Sequence, residues 1–219
     1  MKALLKESEL KFLQSQINPH FLFNTMNAAA QLAMIEDAEK TSEFIQNIAD
    51  IFRYNLKNMD ELVSLREELD FVEKYMNILK MRFGERIAYE CEIDPSSLNI
   101  KIPRITLQPI IENAYIHGLQ NLERKGTIRV ETKIYENSLV ISIQDNGKGM
   151  SKEQVDHFIY DDNVENINKH LSGIGVSNVI KRLKLLFQED ETHKIIDIVS
   201  EIDKGTTVKL ILPLNENRA

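Results

Sequence analysis

Residues 128–150 read IRVETKIYENSLVISIQDNGKGM, and the fold is decided here. Ile128, Val130, Thr132 and Ile134 alternate with polar or exposed-type neighbours, the period of a strand with one buried face. Glu136-Asn137-Ser138 reads as a hairpin turn, and Leu139, Ile141 and Ile143 continue the alternation on a return strand. That strand ends on Asp145, directly before Asn146-Gly147-Lys148-Gly149-Met150. The same residues make ordinary turns. Here they put a carboxylate at a strand end with two glycines behind it, which lets a ligand approach the backbone.

Working outward, Ile87, Tyr89, Cys91 and Ile93 mark another strand, and residues 104–118 read as helical. Val176, Val179, Ile180, Leu183 and Leu186 place a helix over 174–187. Residues 194–201 and 206–212 read as strands around Asp203-Lys204-Gly205. Strands joined mostly by hairpins, with a few long helices, predict an α+β two-layer sandwich and not a parallel doubly wound sheet.

The N-terminal part is helical. Leu10, Leu13, Ile17, Phe21, Asn24, Ala28, Gln31 and Ile35 advance in steps of three and four, the seam of a helix that packs on a partner. Pro19 interrupts that seam and should kink it. Phe44, Ile48, Ile51, Phe52 and Leu56 form a second apolar face, and Glu36-Asp37-Ala38-Glu39 is the expected link. One hairpin cannot hide so much apolar surface, so a homodimer forming a four-helix bundle is expected. Ser64-Leu65-Arg66-Glu67 matches a capping box that opens a third helix, ending near Phe83-Gly84. The expected domains are therefore 1–83 and 84–219.

Composition bounds the rest. Of 219 residues, 27 are Lys or Arg and 34 are Asp or Glu, for a formal net charge of -7, and 42% are hydrophobic. Disorder and disulfide scaffolds are excluded, since Cys91 is the single cysteine. The acidic balance argues against nucleic-acid binding, which needs a basic face. No apolar run approaches the roughly 20 residues that span a bilayer. Met1-Lys2 leads too quickly into Lys6-Glu7 for a signal peptide, and a chain opening mid-helix without a cap fits a fragment of something longer.

Four constellations carry candidate chemistry. Asn18-Pro19-His20-Phe21-Leu22-Phe23-Asn24 sets an imidazole, a competent nucleophile toward phosphorus, beside two amides on an apolar helix. Asn24 lies one turn after His20 and reads either as an amide that orients water or as a polar register device in the seam. Gln108 to Gly118 puts Glu112, Asn113 and His117 on neighbouring turns, and Asn113 is a plausible oxygen ligand for Mg²⁺ when phosphates and waters supply the rest. Asp145 can accept a hydrogen bond from an exocyclic amine such as that of adenine. Gly173-Ile174-Gly175 opens a helix whose amides suit phosphate, and Arg182 can add a charge-assisted contact. The polar stretch 151–172 has the size of a lid.

In this order, these elements resemble the sensor histidine kinases of the LytS/YesM type over nearly the whole chain. Leu13 to Asn24 is similar to that family's phosphoacceptor helix. Ile102-Pro103 through Ala114 is similar to its N box, Asp145–Met150 to its first glycine box, and Gly173–Gly175 with Asn178 and Arg182 to its second. Gly205-Thr206-Thr207-Val208 with Pro213 is similar to its closing strand.

The resemblance implies a GHKL (Bergerat-type) ATP-binding fold after the helical hairpin, with ATP and Mg²⁺ as cofactors. It implies that His20 takes the γ-phosphoryl group and that Asn113 holds Mg²⁺. Asp145 would read adenine, and Gly147, Gly149, Gly173, Gly175 and Thr206 would line the nucleotide. His117 or Arg182 would supply the phosphate-facing charge, because Ile116 stands where many histidine kinases have lysine. Phe21 stands where many have an acid, and Glu112 is the candidate base by analogy with hydrolytic members of the fold. The implied partners are a second copy of the chain and a response-regulator receiver domain. The implied location is the cytoplasmic side of a bacterial membrane, anchored through segments absent from this chain. A GHKL ATPase without histidine phosphorylation, and a non-catalytic nucleotide-sensing dimerisation module, stay open beside this reading.

Overall fold

The computed structural model describes residues 19–56, 61–84, 86–120, 122–160, 174–187 and 194–214. The chain forms two compact units, Met1–Lys57 and Asn58–Ala219.

The first unit is a helical hairpin of α1 (Pro19–Ile35) and α2 (Glu39–Asn55). The link is short because Asp37 takes a left-handed conformation (φ 56°), which aspartate tolerates. Ala30, Ala33, Ser42 and Ala49 are buried, and such small side chains let the two helices approach closely. The expected seam faces outward instead: Phe21 is 69% and Ile35 79% exposed, and Asn24, Ala28 and Gln31 are exposed with them. Leu10, Leu13, Ile17 and the expected kink ahead of Pro19 lie outside the described residues.

The second unit begins with β1 (Leu62–Ser64) and α3 (Leu65–Phe83). Ser64 caps α3 by accepting the Glu67 amide at 3.2 Å, as expected, and Gly84 (φ 73°) stops it. Next come β2 (Ile87–Ile93), a 3₁₀ turn at Pro95–Ser97, β3 (Lys101–Pro103) and α4 (Gln108–Asn113). Helix α4 continues as a π-helical turn over Ala114–Leu119. The chain closes with β4 (Gly126–Tyr135), β5 (Ser138–Asp145), α5 (Lys152–Tyr160), α6 (Ile174–Phe187), β6 (Ile196–Glu201) and β7 (Gly205–Pro213).

The main sheet runs β2-β4-β5-β7-β6. Only β2 and β4 are parallel, and β4–β5 turns at Glu136-Asn137 with Tyr135 opposite Ser138. Ile128, Val130, Leu139, Ile141, Ile143, Leu210 and Leu212 line one face. Against them pack Leu65, Val72, Met76 and Leu79 of α3, Ile110 and Ile111 of α4, and Val176, Val179, Ile180 and Leu183 of α6. The two-layer α+β sandwich predicted from the strand pattern is what forms.

Two expectations need correction. The boundary at 83/84 would detach α3, yet its apolar face belongs to the core of the second unit, so packing divides the chain at 57/58. The stretch 151–172 contains a regular helix over its first part, and residues 161–172 lie outside the described residues.

One buried carboxylate ties α3 to the chain ahead of α4. Residues 104–107 are not helical, because Ile105 sits at φ 56°, a strained value for a β-branched side chain. Glu68 of α3 is fully buried and accepts the amides of Ile105 at 2.7 Å, Thr106 at 2.9 Å and Leu107 at 3.1 Å. Arg104, also buried, meets Glu61 at 2.8 Å. Glu68→Ala is expected to lower unfolding free energy by about 3 kcal/mol or more, since several buried donors lose their acceptor. Glu68→Gln, which keeps one acceptor oxygen, should fall between, as read from chemical denaturation midpoints.

Candidate functional site

The nucleotide-type residues of the second unit meet where α4 runs past the end of β5. Asn113 and His117 are half-buried and stand four positions apart, one at the end of α4 and one in the π turn. Gly118 follows, so close to Asp145 that an added Cβ would stand 2.9 Å from its Oδ1. The helix and the strand-end carboxylate are thereby in contact through a residue with no side chain.

Asp145 is buried, with 5% exposure, and its Oδ1 accepts the Gly147 amide at 2.7 Å. Burial pushes its carboxyl above the usual carboxylate range, against the opposing hydrogen bonds from the Gly147 and Thr206 amides. Thr206 is the ladder partner of Asp145 on β7. Asn146 turns away from the site: its Oδ1 accepts the Thr127 amide at 2.8 Å, and its carbonyl accepts from Arg124.

The glycines have a reason beyond ligand access. A Cβ on Gly147 would press on the Gly118 carbonyl, and one on Gly149 (φ 65°) would overlap the Glu201 carbonyl. Lys148 donates its amide to Gly118 O at 3.1 Å and receives the Asp203 amide at 2.8 Å. The loop 145–150 is thus clamped between the end of the π turn and the β6–β7 turn. Gly175 is exposed at the start of α6, where a Cβ would stand 3.3 Å from Pro109. Gly173 lies outside the described residues.

Two predicted residues are engaged elsewhere. Arg182 donates to Ile105 O at 3.0 Å and reaches Thr106 Oγ1 at 3.4 Å, so its guanidinium braces the bend before α4. Glu112 is raised above the usual carboxylate range by burial, opposed by a hydrogen bond with Tyr75 of α3. Gln108 approaches the same carboxyl at 3.4 Å.

In the first unit, His20 is exposed near the start of α1. The Asn24 carboxamide nitrogen lies 3.2 Å from its Nδ1, so the predicted pair shares a face. Thr25 bonds back to the Phe21 carbonyl at 2.8 Å.

The family described as Histidine kinase-, DNA gyrase B-, and HSP90-like ATPase matches residues 101–216, the stretch holding α4, the Asp145 loop and β7. The chain belongs to this family. A second family, Histidine kinase, matches residues 8–87 and includes His20. The sensor protein LytS of Oceanobacillus iheyensis is 36% identical over 97% of this chain and 36% of its own length. Sensor histidine kinase YesM of Bacillus subtilis is 33% identical over 97% of this chain and 34% of its own length. BtsS of Escherichia coli K12, also a sensor histidine kinase, is 34% identical over the same shares. The chain is therefore the kinase portion of a LytS/YesM-type sensor histidine kinase, spanning about a third of the length of the curated relatives it matches.

Solved structures agree on the fold. The histidine kinase domain of a blue-light activated histidine kinase from Erythrobacter litoralis superposes with a TM-score of 0.51 at 12% identity, covering 91% of this chain and 95% of that one. The catalytic domain of histidine kinase ThkA gives 0.52 at 13% identity, covering 73% and 99%.

In this histidine kinase chain, Gly118, Gly205 and Glu68 are site-building residues that pattern reading passed over. Gly205 (φ 106°) was visible only as the start of a strand, yet a Cβ there would overlap the Asp145 carbonyl. No helix among the described residues is long and apolar enough to cross a membrane.

Because burial raises the Asp145 pKa, the folded state favours the protonated acid. Its contribution to stability is present below the ordinary aspartate pKa and is lost as pH rises through the raised value. Asp145→Asn should therefore raise the melting temperature at pH 7 and give little gain near pH 3.5, while nucleotide affinity falls. Thermal scans at the two pH values, beside calorimetric titration with ADP, check both halves.

Proposed function

We propose that this chain phosphorylates itself on His20 with the γ-phosphoryl group of ATP and passes that group to an aspartate of a response-regulator receiver domain. The observation that carries the reading is an exposed imidazole with the Asn24 carboxamide beside its Nδ1, in a chain whose second unit has the ATPase fold. A solvent-exposed histidine on a helix has no part in simple hydrolysis. The family description makes ATP the nucleotide.

In this proposal adenine lies against Asp145, whose burial suits a single directional hydrogen bond. Gly147, Gly149 and Thr206 shape that end, and Gly173, Gly175 and His117 face phosphate. Among the described residues no three His, Cys, Asp or Glu side chains cluster to hold a metal. Mg²⁺ would thus take Asn113 as its protein ligand, with phosphate oxygens and waters completing its shell, which is how this ion usually binds nucleotides. The metal would supply charge neutralisation at the phosphates.

The chemistry asked of His20 is small. Its ring nitrogen lone pair forms the N–P bond while the bond from phosphorus to the β,γ-bridging oxygen breaks, and ADP leaves with that electron pair. The ring proton passes to water. Glu112 is the less suitable acceptor, because its carboxyl is tied to Tyr75 and Gln108. The exposed row Phe21–Ile35 supports a homodimer through the first unit, with a second copy covering what the hairpin leaves open. Anchoring of the whole protein at the cytoplasmic face of a bacterial membrane, through segments beyond this chain, completes the reading.

With labelled Mg·ATP, covalent label, free phosphate or neither would separate kinase, hydrolase and sensing module. His20→Gln is expected to abolish the label and leave ATP affinity intact. The label should be lost in acid and kept in base, since a phosphoramidate hydrolyses once its nitrogen is protonated. Label retained in His20→Gln would overturn the assignment.

We assign Asn24 to hydrolysis of the regulator's aspartyl phosphate, because a neutral amide can orient a water but is a poor base. Asn24→Ala should keep His20 labelling and the dimer while dephosphorylation of the regulator is lost. Altered sedimentation together with altered labelling would instead make Asn24 a register device.

A further inference from the structure

We propose that Ser200 on β6 is a positioning residue for nucleotide binding, acting on the Asp145–Met150 loop; this rests on the assignment of adenine to Asp145. Its hydroxyl accepts the Met150 amide at 2.8 Å, donates to the Gly205 carbonyl at 3.0 Å and meets the Thr206 hydroxyl at 2.8 Å. A serine hydroxyl has one hydrogen and two lone pairs, so Thr206 is the donor in the last contact and the Ser200 oxygen is used completely.

All of its partners border Asp145. Gly205 lies against the Asp145 carbonyl so closely that no Cβ would fit. Thr206 is opposite Asp145 in the β5–β7 ladder and gives its amide to the carboxylate. Met150 ends the loop that Asp145 begins. The near half of that loop has its own ties, from the Gly147 amide to Asp145 and from the Lys148 amide to Gly118. The far half, at Met150, is held by Ser200. Without that hydroxyl the loop keeps its root and loses the anchor of its distal end, which loosens the wall beside the adenine site. Nothing in this arrangement touches the transferring phosphoryl group.

The consequence is a split between binding and chemistry. Calorimetry on the whole chain should find Ser200→Ala weaker for ADP and for ATP by the same factor, roughly tenfold, as expected for lost hydrogen bonds around one site. In autophosphorylation the KM for ATP should rise by a similar factor with kcat at saturating ATP unchanged. Ser200→Thr keeps the oxygen and should restore ADP affinity to within about twofold. Unchanged ADP affinity in Ser200→Ala, or a loss that falls on kcat with KM unmoved, overturns the proposal. Asp145→Ala, titrated with ADP in parallel, separates the two ideas. If it binds normally, the adenine assignment fails; if it binds weakly while Ser200→Ala binds normally, the Ser200 role alone fails.

Discussion

A single carboxylate, that of Glu68, governs the geometry on which the nucleotide site depends. The chain must turn sharply between β3 and α4, and it does so through a left-handed isoleucine. Such a bend aims successive amides inward, where unpaired donors are costly. Glu68 gathers them onto one side chain of a helix that is itself pinned by Leu65, Val72 and Met76. The direction of α4, and with it the places of Asn113 and His117, follows from that anchor. Arg182 adds a second brace from α6, bonding the carbonyl of the same strained residue. Three helices thus converge on residues 105–107.

At the other end of the site, close packing takes the place of hydrogen bonding as the organising force. Gly118, Gly147, Gly149 and Gly205 remove side chains where four backbone segments crowd around Asp145. The result is a carboxyl held in a dry place, ionised less readily than in water. That is a stability cost tolerated at a binding position, the pattern expected where function and stability pull apart.

Much of this was legible in the sequence. Helix α3, the β4–β5 hairpin and α6 have long periodic apolar runs and a cap or turn at their ends, so pattern and propensity agree. The short strands β1 and β3 offer too few residues for a period to show. The parallel pairing of β2 with β4 is a choice of neighbour, which alternation does not encode. Gly84 was read as a domain end because a helix stop and a domain boundary look alike in one dimension; only the contacts of Leu79 and Met76 distinguish them. His20, Asn113 and Asp145 stood out through recognisable motifs. Ser200 carries no such signal, since a serine on an edge strand is unremarkable until its partners are known. Arg182 was seen but given the wrong neighbour: an arginine's reach spans several candidates, and Ile105 O lies within it.

The π-helical turn after Asn113 bears on how this helix can vary in length. The Gln120 amide reaches back to the Tyr115 carbonyl at 2.8 Å, five residues away, so this turn holds one residue more than an α-helical turn would. Loss of one residue here would let the helix relax into regular α geometry. It would also rotate everything downstream by about 100°. His117 would swing off the face of Asn113, and Gly118 would yield its place against Asp145 to a residue with a side chain. Insertions and deletions are normally absorbed by loops. In this helix a single-residue indel would instead act as a rotation of the binding site, so the spacing from Asn113 to Gly118 is constrained as tightly as the identity of either residue.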